Sequence, residues 1–380
     1  MDSYWDTVGI QNQRELKPNA NASNNTVSNT NVKKPDKTVK TIDHRVDYYD
    51  EAHVYEVTNL SDGSKRIATS TSQIIKRWCG SQTSYDDIIR NKRKDWIEKK
   101  STYAEKTDEE IKEIWSKKSE KAIADGKSIH NIIDSALRYV IENRRTEHDN
   151  DYTTTSCRMK MMAKLLEFQI KHTAIVKPYM NEWKSFFYDF LNNHDTLVVV
   201  LTEFIVYDPE TNVAGTCDAL FYDSLTKDYV LVDWKRSESI GPGYCSDLGE
   251  QTTNEFEQIE KPHPILCDIH LGNYTTYSLQ ISSYKNTIQR HGVFDEDGNV
   301  VVPKNASISK AIVVNVHPQF SGLSQNIVLK QHFYDTIYLP IYDAESRTAD
   351  TATDRSKRKR QEETLDEPST KKRRSEETAK

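Results

Sequence analysis

Residues 196 to 235 constrain the fold more than any other part of the chain. Two short turns, Asp208–Asn212 and Asp223–Asp228, divide an apolar, β-branched stretch into three strands. Connections this short join antiparallel neighbours, so the segment is expected to form a three-strand meander. The register then follows from turn symmetry. A symmetric second turn sets Asp218 opposite Asp233, and a first turn symmetric about Glu210 and Thr211 sets Glu203 opposite Asp218. Alternation places Lys235 on the same face as Asp233, with Trp234 on the other.

Such a carboxylate row is unfavourable by itself. Carboxylates about 5 Å apart repel by roughly 3 kcal/mol at an effective dielectric near 20. Strand-end acids paired with lysines in solvent are the bland alternative. The apolar neighbours Phe204, Ile205, Val206, Leu220, Phe221, Val230, Leu231 and Val232 leave little water to relieve the repulsion. A hard divalent cation, Mg²⁺ or Mn²⁺, removes the conflict, because carboxylate oxygens are the ligands it accepts. Lysine beside it can position a water or offset charge developing on a phosphoryl group. The set Asp218, Asp233, Lys235 and Glu203 therefore suits phosphodiester hydrolysis.

Around the meander, residues 1–41 form an Asn/Thr/Lys-rich tail expected to be disordered, having few apolar groups to offset its ordering entropy. A single α/β domain is expected over 42–345. It opens with a hairpin around Asp62-Gly63 and continues with a helical part over 70–193, in which Trp96 and Trp115 serve as core anchors. Gly126 is expected to break the helix there, with Ser128 capping a new one that runs to Asn143. The meander spans 196–240, an insertion 241–273, and a helix (Tyr274–Arg290) and final strands 274–343, including Ala311–Val316. Residues 346–380 form a second disordered tail.

Four blocks, in order, resemble the PD-(D/E)XK nuclease superfamily in its RecB-like exonuclease branch. Gly126–His130 resembles the Gly-x-x-x-His helix, and Gly215–Asp218 the Gly-x-x-Asp strand. Val232–Lys235 is similar to the (D/E)-x-K block, and Tyr277–Tyr284 to the Gln-x-x-x-Tyr helix. The region upstream, Tyr49–Tyr55 and Trp115, is similar to the mitochondrial-genome-maintenance exonuclease type and its phage relatives. The resemblance implies a restriction-endonuclease-like core: a mixed sheet whose antiparallel three-strand meander is flanked by helices. It also implies metal coordination by Asp218, Asp233, His130 and the backbone carbonyl of Trp234. Lys235 would face the attacking water or the scissile phosphate. Gln280 and Tyr284 would brace the site or touch the DNA backbone, and Glu203 would match a less regular acidic position. The literal Pro-Asp is absent, and so are the iron–sulfur cysteines of some members, so no cluster is expected.

Other residues keep two readings. By spacing alone, His130 suits a helix position paired with Asp134, and Gln280 with Tyr284 suits packing. The run Arg90–Lys94 either steers a phosphate backbone or is a solvated helix face. Two basic clusters, Lys357–Arg360 and Lys371–Arg374, read as a bipartite nuclear localisation signal or as a nucleic-acid-binding tail. Microscopy of a chain lacking residues 351–380 decides between them. The import reading implies a nuclear import receptor as partner, and a eukaryotic or nuclear-replicating viral source.

The function expected is a DNA exonuclease of replication, recombination or repair, acting on single-stranded or end-containing DNA. A structure-specific endonuclease and a non-catalytic DNA-binding protein on the same fold are the alternatives. With a net charge of −6, contact with nucleic acid must come from local basic patches. No phosphate-binding Gly-x-x-x-x-Gly-Lys-Ser/Thr loop is present, so ATP is not expected. Five scattered cysteines without a C-x-x-C pair argue against a structural zinc site or a disulfide framework. No apolar run of about 18 residues offers a membrane span.

Overall fold

Three strands occupy the meander as the turns dictate: β5 (Leu197–Asp208), β6 (Val213–Asp223) and β7 (Asp228–Lys235). The computed structural model describes residues 34–80, 84–146, 155–238, 263–266, 272–320 and 325–347. Residues 1–33 and 348–380, with the two basic clusters, and most of the 241–273 segment lie outside those residues. The meander belongs to a mixed α/β structure, in which a mostly antiparallel nine-stranded sheet is flanked by helices.

One half of the sheet is N-terminal: β1 (Lys37–Lys40), β2 (His44–Tyr49), β3 (Val54–Asn59) and β4 (Lys65–Ser70), each antiparallel to the next. β3 and β4 are the hairpin expected around Asp62-Gly63. β1 corrects the N-terminal boundary, because Lys37–Lys40 is paired strand rather than disordered tail. Its polar composition hid it. The ladder to β2 supplies hydrogen bonds, and the only buried side chain of the strand is Val39. β4 then joins β6 in parallel at Thr69 and Ser70.

On the other side, β10 (Ile308–Asn315) runs parallel to β7, and β11 (Gln325–Val328) closes the edge antiparallel to β10. A separate two-stranded pair, β8 (Val293–Phe294) and β9 (Val300–Val302), follows the last long helix.

Helices cover both faces. α1 (Thr71–Cys79), α2 (Tyr85–Glu98) and α3 (Asp108–Thr146) come between β4 and the meander. α4 (Thr155–Lys171), α5 (Thr173–Val176) and α6 (Met180–Lys184) follow, the last running into a π-helical stretch, Ser185–Leu191. On one face Ile129, Ile133 and Leu137 of α3, with Trp183, Phe186 and Phe190, pack on Phe221, Val232 and Trp234. On the other face lies α7 (Asn273–His291), whose Tyr277, Ile281, Tyr284 and Ile288 meet Leu220, Leu231 and Val313. Leu266 and the C-terminal helical segment, α8 (Gln331–Phe333) continuing through 347, pack with α1 in a third cluster. The helix thus passes the expected 345 boundary by two residues.

α3 also corrects an expectation. It runs unbroken through Gly126, and Ser128 donates to the carbonyl of Ala124 (2.9 Å) instead of capping a new helix. A mid-helix glycine costs about 1 kcal/mol relative to alanine. Burying one isoleucine or leucine returns roughly 1.5–3 kcal/mol, and this helix buries several just beyond the glycine. Packing overrides the local signal. Trp115 is a core anchor, buried with Ile89 and Ile111 where α2 packs on α3, whereas Trp96 is only partly buried against it beside Tyr85 and Tyr103.

Candidate active site

The site forms where β6 and β7 part. Their ladder runs from Asp223↔Asp228 to Ala219↔Val232, so Asp218 and Asp233 are the next residues beyond its end. There the Trp234 N–H donates to Asp218 Oδ2 (2.7 Å) instead of to a main-chain carbonyl. The carboxylate thus sits in the fork, only partly exposed at 12 % of its side chain. Trp234 turns to the opposite face, edge-on to Phe186 and Phe190, as alternation requires.

Asp233 is 2 % exposed, and Lys235 Nζ makes an ion pair with its Oδ2 at 2.5 Å. The same ammonium lies over the Tyr277 ring of α7, 5.3 Å from its centroid. Burial pulls the Lys235 amine down, but the carboxylates of Asp233 and Asp218 outweigh it and raise it overall. Lys235 therefore keeps its proton at neutral pH. Asp218 moves the other way from an ordinary carboxyl: burial, then the charge of Asp233, pushes it well up, with Lys235 opposing and Glu203 adding.

α3 brings in His130. Its Nδ1 lies 3.6 Å from Asp218 Oδ2, and the ring is hydrogen-bonded to the Trp234 carbonyl. Burial, then the Lys235 charge, lowers the imidazole to about 3, so it stands neutral and able to ligate. Asp134, the alternative partner, pairs instead with Arg138 and with Thr202 of β5 (2.9 Å). The Thr202 hydroxyl also lies 3.1 Å from the Asp218 carbonyl, and this link seats the helix one turn beyond His130.

Glu203 departs from the expected ladder. The pairing on either side, Thr202↔Ala219 and Phe204↔Cys217, has the expected register, but Glu203 itself adopts φ 49°. A non-glycine residue there costs about 1–3 kcal/mol, and such strain clusters at functional sites. The twist still leaves its carboxylate in the site. One ligand atom each from His130, Glu203 and Asp218 fall within 4.8 Å of one another. Asp233 stands outside that trio, engaged by Lys235.

Gln280 and Tyr284 meet on α7, where the Gln280 amide donates to the Tyr284 hydroxyl (3.0 Å). Tyr284 also explains Gly215. A Cβ on Gly215 would lie 2.5 Å from Tyr284 Cε1 and 2.6 Å from Thr71 Oγ1. The glycine block and the tyrosine block are two sides of one contact. Gly215→Ala is expected to cost about 1–3 kcal/mol, read as a lower urea midpoint. An unchanged midpoint would show that this contact is not tight.

Three contributors carried no sequence signal of their own. Arg236 joins Asp125 of α3 (3.3 Å) to Glu182 of α6 (3.2 Å), fixing the end of β7. Thr202 tethers α3. Lys37 of β1 reaches Glu203. In the Arg90–Lys94 run, Arg90 pairs with Asp87 and Lys94 with Glu98 on an exposed face, while the more shielded Arg93 pairs with Asp108.

No known family model matches the chain, and no curated protein matches it either. Among the described residues, no helix is long and apolar enough to cross a membrane.

Proposed function

We propose that the protein is a divalent-metal-dependent nuclease that hydrolyses phosphodiester bonds in DNA, acting on ends. The observation that carries the reading is the convergence of His130, Glu203 and Asp218 beside the buried Asp233–Lys235 pair. Its elements follow the order helix, antiparallel meander, helix and parallel strand (α3, β5–β7, α7, β10). That order supports a restriction-endonuclease-like core.

The donor set fits Mg²⁺ or Mn²⁺. It offers carboxylate oxygens and one neutral imidazole with no thiolate, and Asp218 is pushed up by burial and then by the charges of Asp233 and Glu203, which a cation would offset. His130, Glu203 and Asp218 would hold the ion, with Asp233 and the Trp234 carbonyl beside them. Bound there, it supplies Lewis-acid polarisation of a phosphoryl oxygen and lowers the pKa of water. The protein's own groups do the rest. Protonated Lys235 offsets negative charge as it builds on the phosphoryl oxygens. Asp233 fixes the direction of that ammonium. On the α7 side Tyr277 faces the Lys235 ammonium, and Tyr284, bonded by Gln280, packs against Gly215 of β6. Next to Arg236, an open depression of about 440 Å³ is lined by Lys121 and Lys177 together with the acids Asp125 and Glu182, which pair with Arg236.

Retention of Asp218, Asp233 and Lys235 together weighs against a silent binding protein. The choice of DNA and of ends rests on the resemblance of the four sequence blocks. The test offers end-labelled linear and covalently closed circular single-stranded DNA with Mg²⁺, Mn²⁺ or EDTA. Metal-dependent loss of the linear substrate alone is expected. Cutting of the circle would make the enzyme an endonuclease, and intact DNA of both kinds would contradict the proposal.

A further inference from the structure

Lys37 lies on the strand that composition concealed. From β1 its Nζ donates to Glu203 Oε2 (2.7 Å) and also to the Glu203 main-chain carbonyl (3.2 Å). The two bonds grip the one residue of β5 with a left-handed backbone. One bond holds the peptide and the other holds the carboxylate. Both partners are partly shielded, at 32 % and 23 % side-chain exposure, so the pair is neither fully hydrated nor sealed. The lysine occupies Oε2 and leaves Oε1 with its lone pairs available. β1 itself is held in register by β2, with Lys37 opposite Tyr48.

We propose that Lys37 is a positioning residue for the metal centre, presenting the Glu203 carboxylate to the cation that His130 and Asp218 would share. This rests on the metal-dependent reading of the site. Lys37 touches neither the donor atoms of His130 nor those of Asp218, and it acts only through Glu203. Groups that orient a ligand carboxylate in this way typically change metal affinity by about 10–100-fold when removed. A lysine that merely placed positive charge near the site would have the opposite effect, since its removal would tighten cation binding.

The experiment is Mn²⁺ binding to the full chain without nucleic acid, followed by the electron paramagnetic resonance of free Mn²⁺. The proteins are wild type, Lys37→Met, Lys37→Arg, Glu203→Gln and the double variant, with circular dichroism confirming that each is folded. Lys37→Met is expected to weaken Mn²⁺ binding about tenfold, with Lys37→Arg recovering most of it. In the Glu203→Gln background, Lys37→Met should change little, because its route to the metal is gone. Unchanged or tighter binding by Lys37→Met, or an equal loss in both backgrounds, would overturn the proposal. If wild type binds no Mn²⁺, the metal reading itself fails and this assignment falls with it. If wild type binds and only the Lys37 effects are missing, the metal reading stands and this assignment alone falls.

Discussion

Asp233→Asn is expected to reduce cleavage by about 10³-fold or more, roughly 4 kcal/mol of transition-state stabilisation, while DNA affinity stays within about threefold. Asparagine keeps the shape of the side chain and an oxygen that can accept from Lys235. It removes the charge that holds the ammonium in place and that borders the cation site. The choice of asparagine matters, because deleting one partner of a buried ion pair outright costs about 3–5 kcal/mol of stability. Asp233→Ala would therefore confuse unfolding with lost chemistry. The check is single-turnover cleavage beside a binding isotherm and a thermal melt. A wild-type rate would place the chemistry elsewhere on the protein.

Lys235→Ala also removes one partner of the buried pair, so it is read beside a thermal melt; in the folded fraction it is expected to lower turnover by about 10²–10³-fold, the range found when one preorganised charge-stabilising donor is removed. Removing a cation beside Asp218 and Asp233 leaves more negative charge, so Mn²⁺ should bind as tightly as in wild type or more tightly. Because neighbouring carboxylates raise the lysine above its ordinary value, it acts as a fixed positive charge and not as a base near neutral pH. The split between slower turnover and undiminished Mn²⁺ binding is the signature to measure. Equal loss of both would make Lys235 a structural strut for the ion site.

The meander was legible because three constraints agreed, turn length, strand alternation and the placement of charge, but the parting of β6 and β7 before the expected Asp218–Asp233 pair was not. Those constraints set the faces of Asp233, Lys235 and Trp234, and the ladder confirms the register up to Ala219↔Val232. They were blind to tertiary departures. Nothing local marks Glu203 for a left-handed backbone, since its strand neighbours pair normally and its twist is sustained by Lys37, far away in sequence. The same limit hid β1, where ladder hydrogen bonds stand in for apolar content. It also misplaced a helix boundary at Gly126, where the burial of later isoleucines outweighs glycine's intrinsic cost. His130 shows the reverse case. Its spacing to Asp134 suggested a helical ion pair, but Thr202 and Arg138 take that carboxylate and leave the imidazole for Asp218.

Release of label from linear DNA tests the central claim most directly. Wild type in Mg²⁺, wild type in EDTA and Asp233→Asn in Mg²⁺ would be run side by side at equal bound fraction. The account predicts rapid release from the first and near-background release from the other two, with both proteins equally folded. Release that persists in EDTA, or that survives Asp233→Asn undiminished, would contradict a metal-dependent nuclease built on Asp218, Asp233 and Lys235.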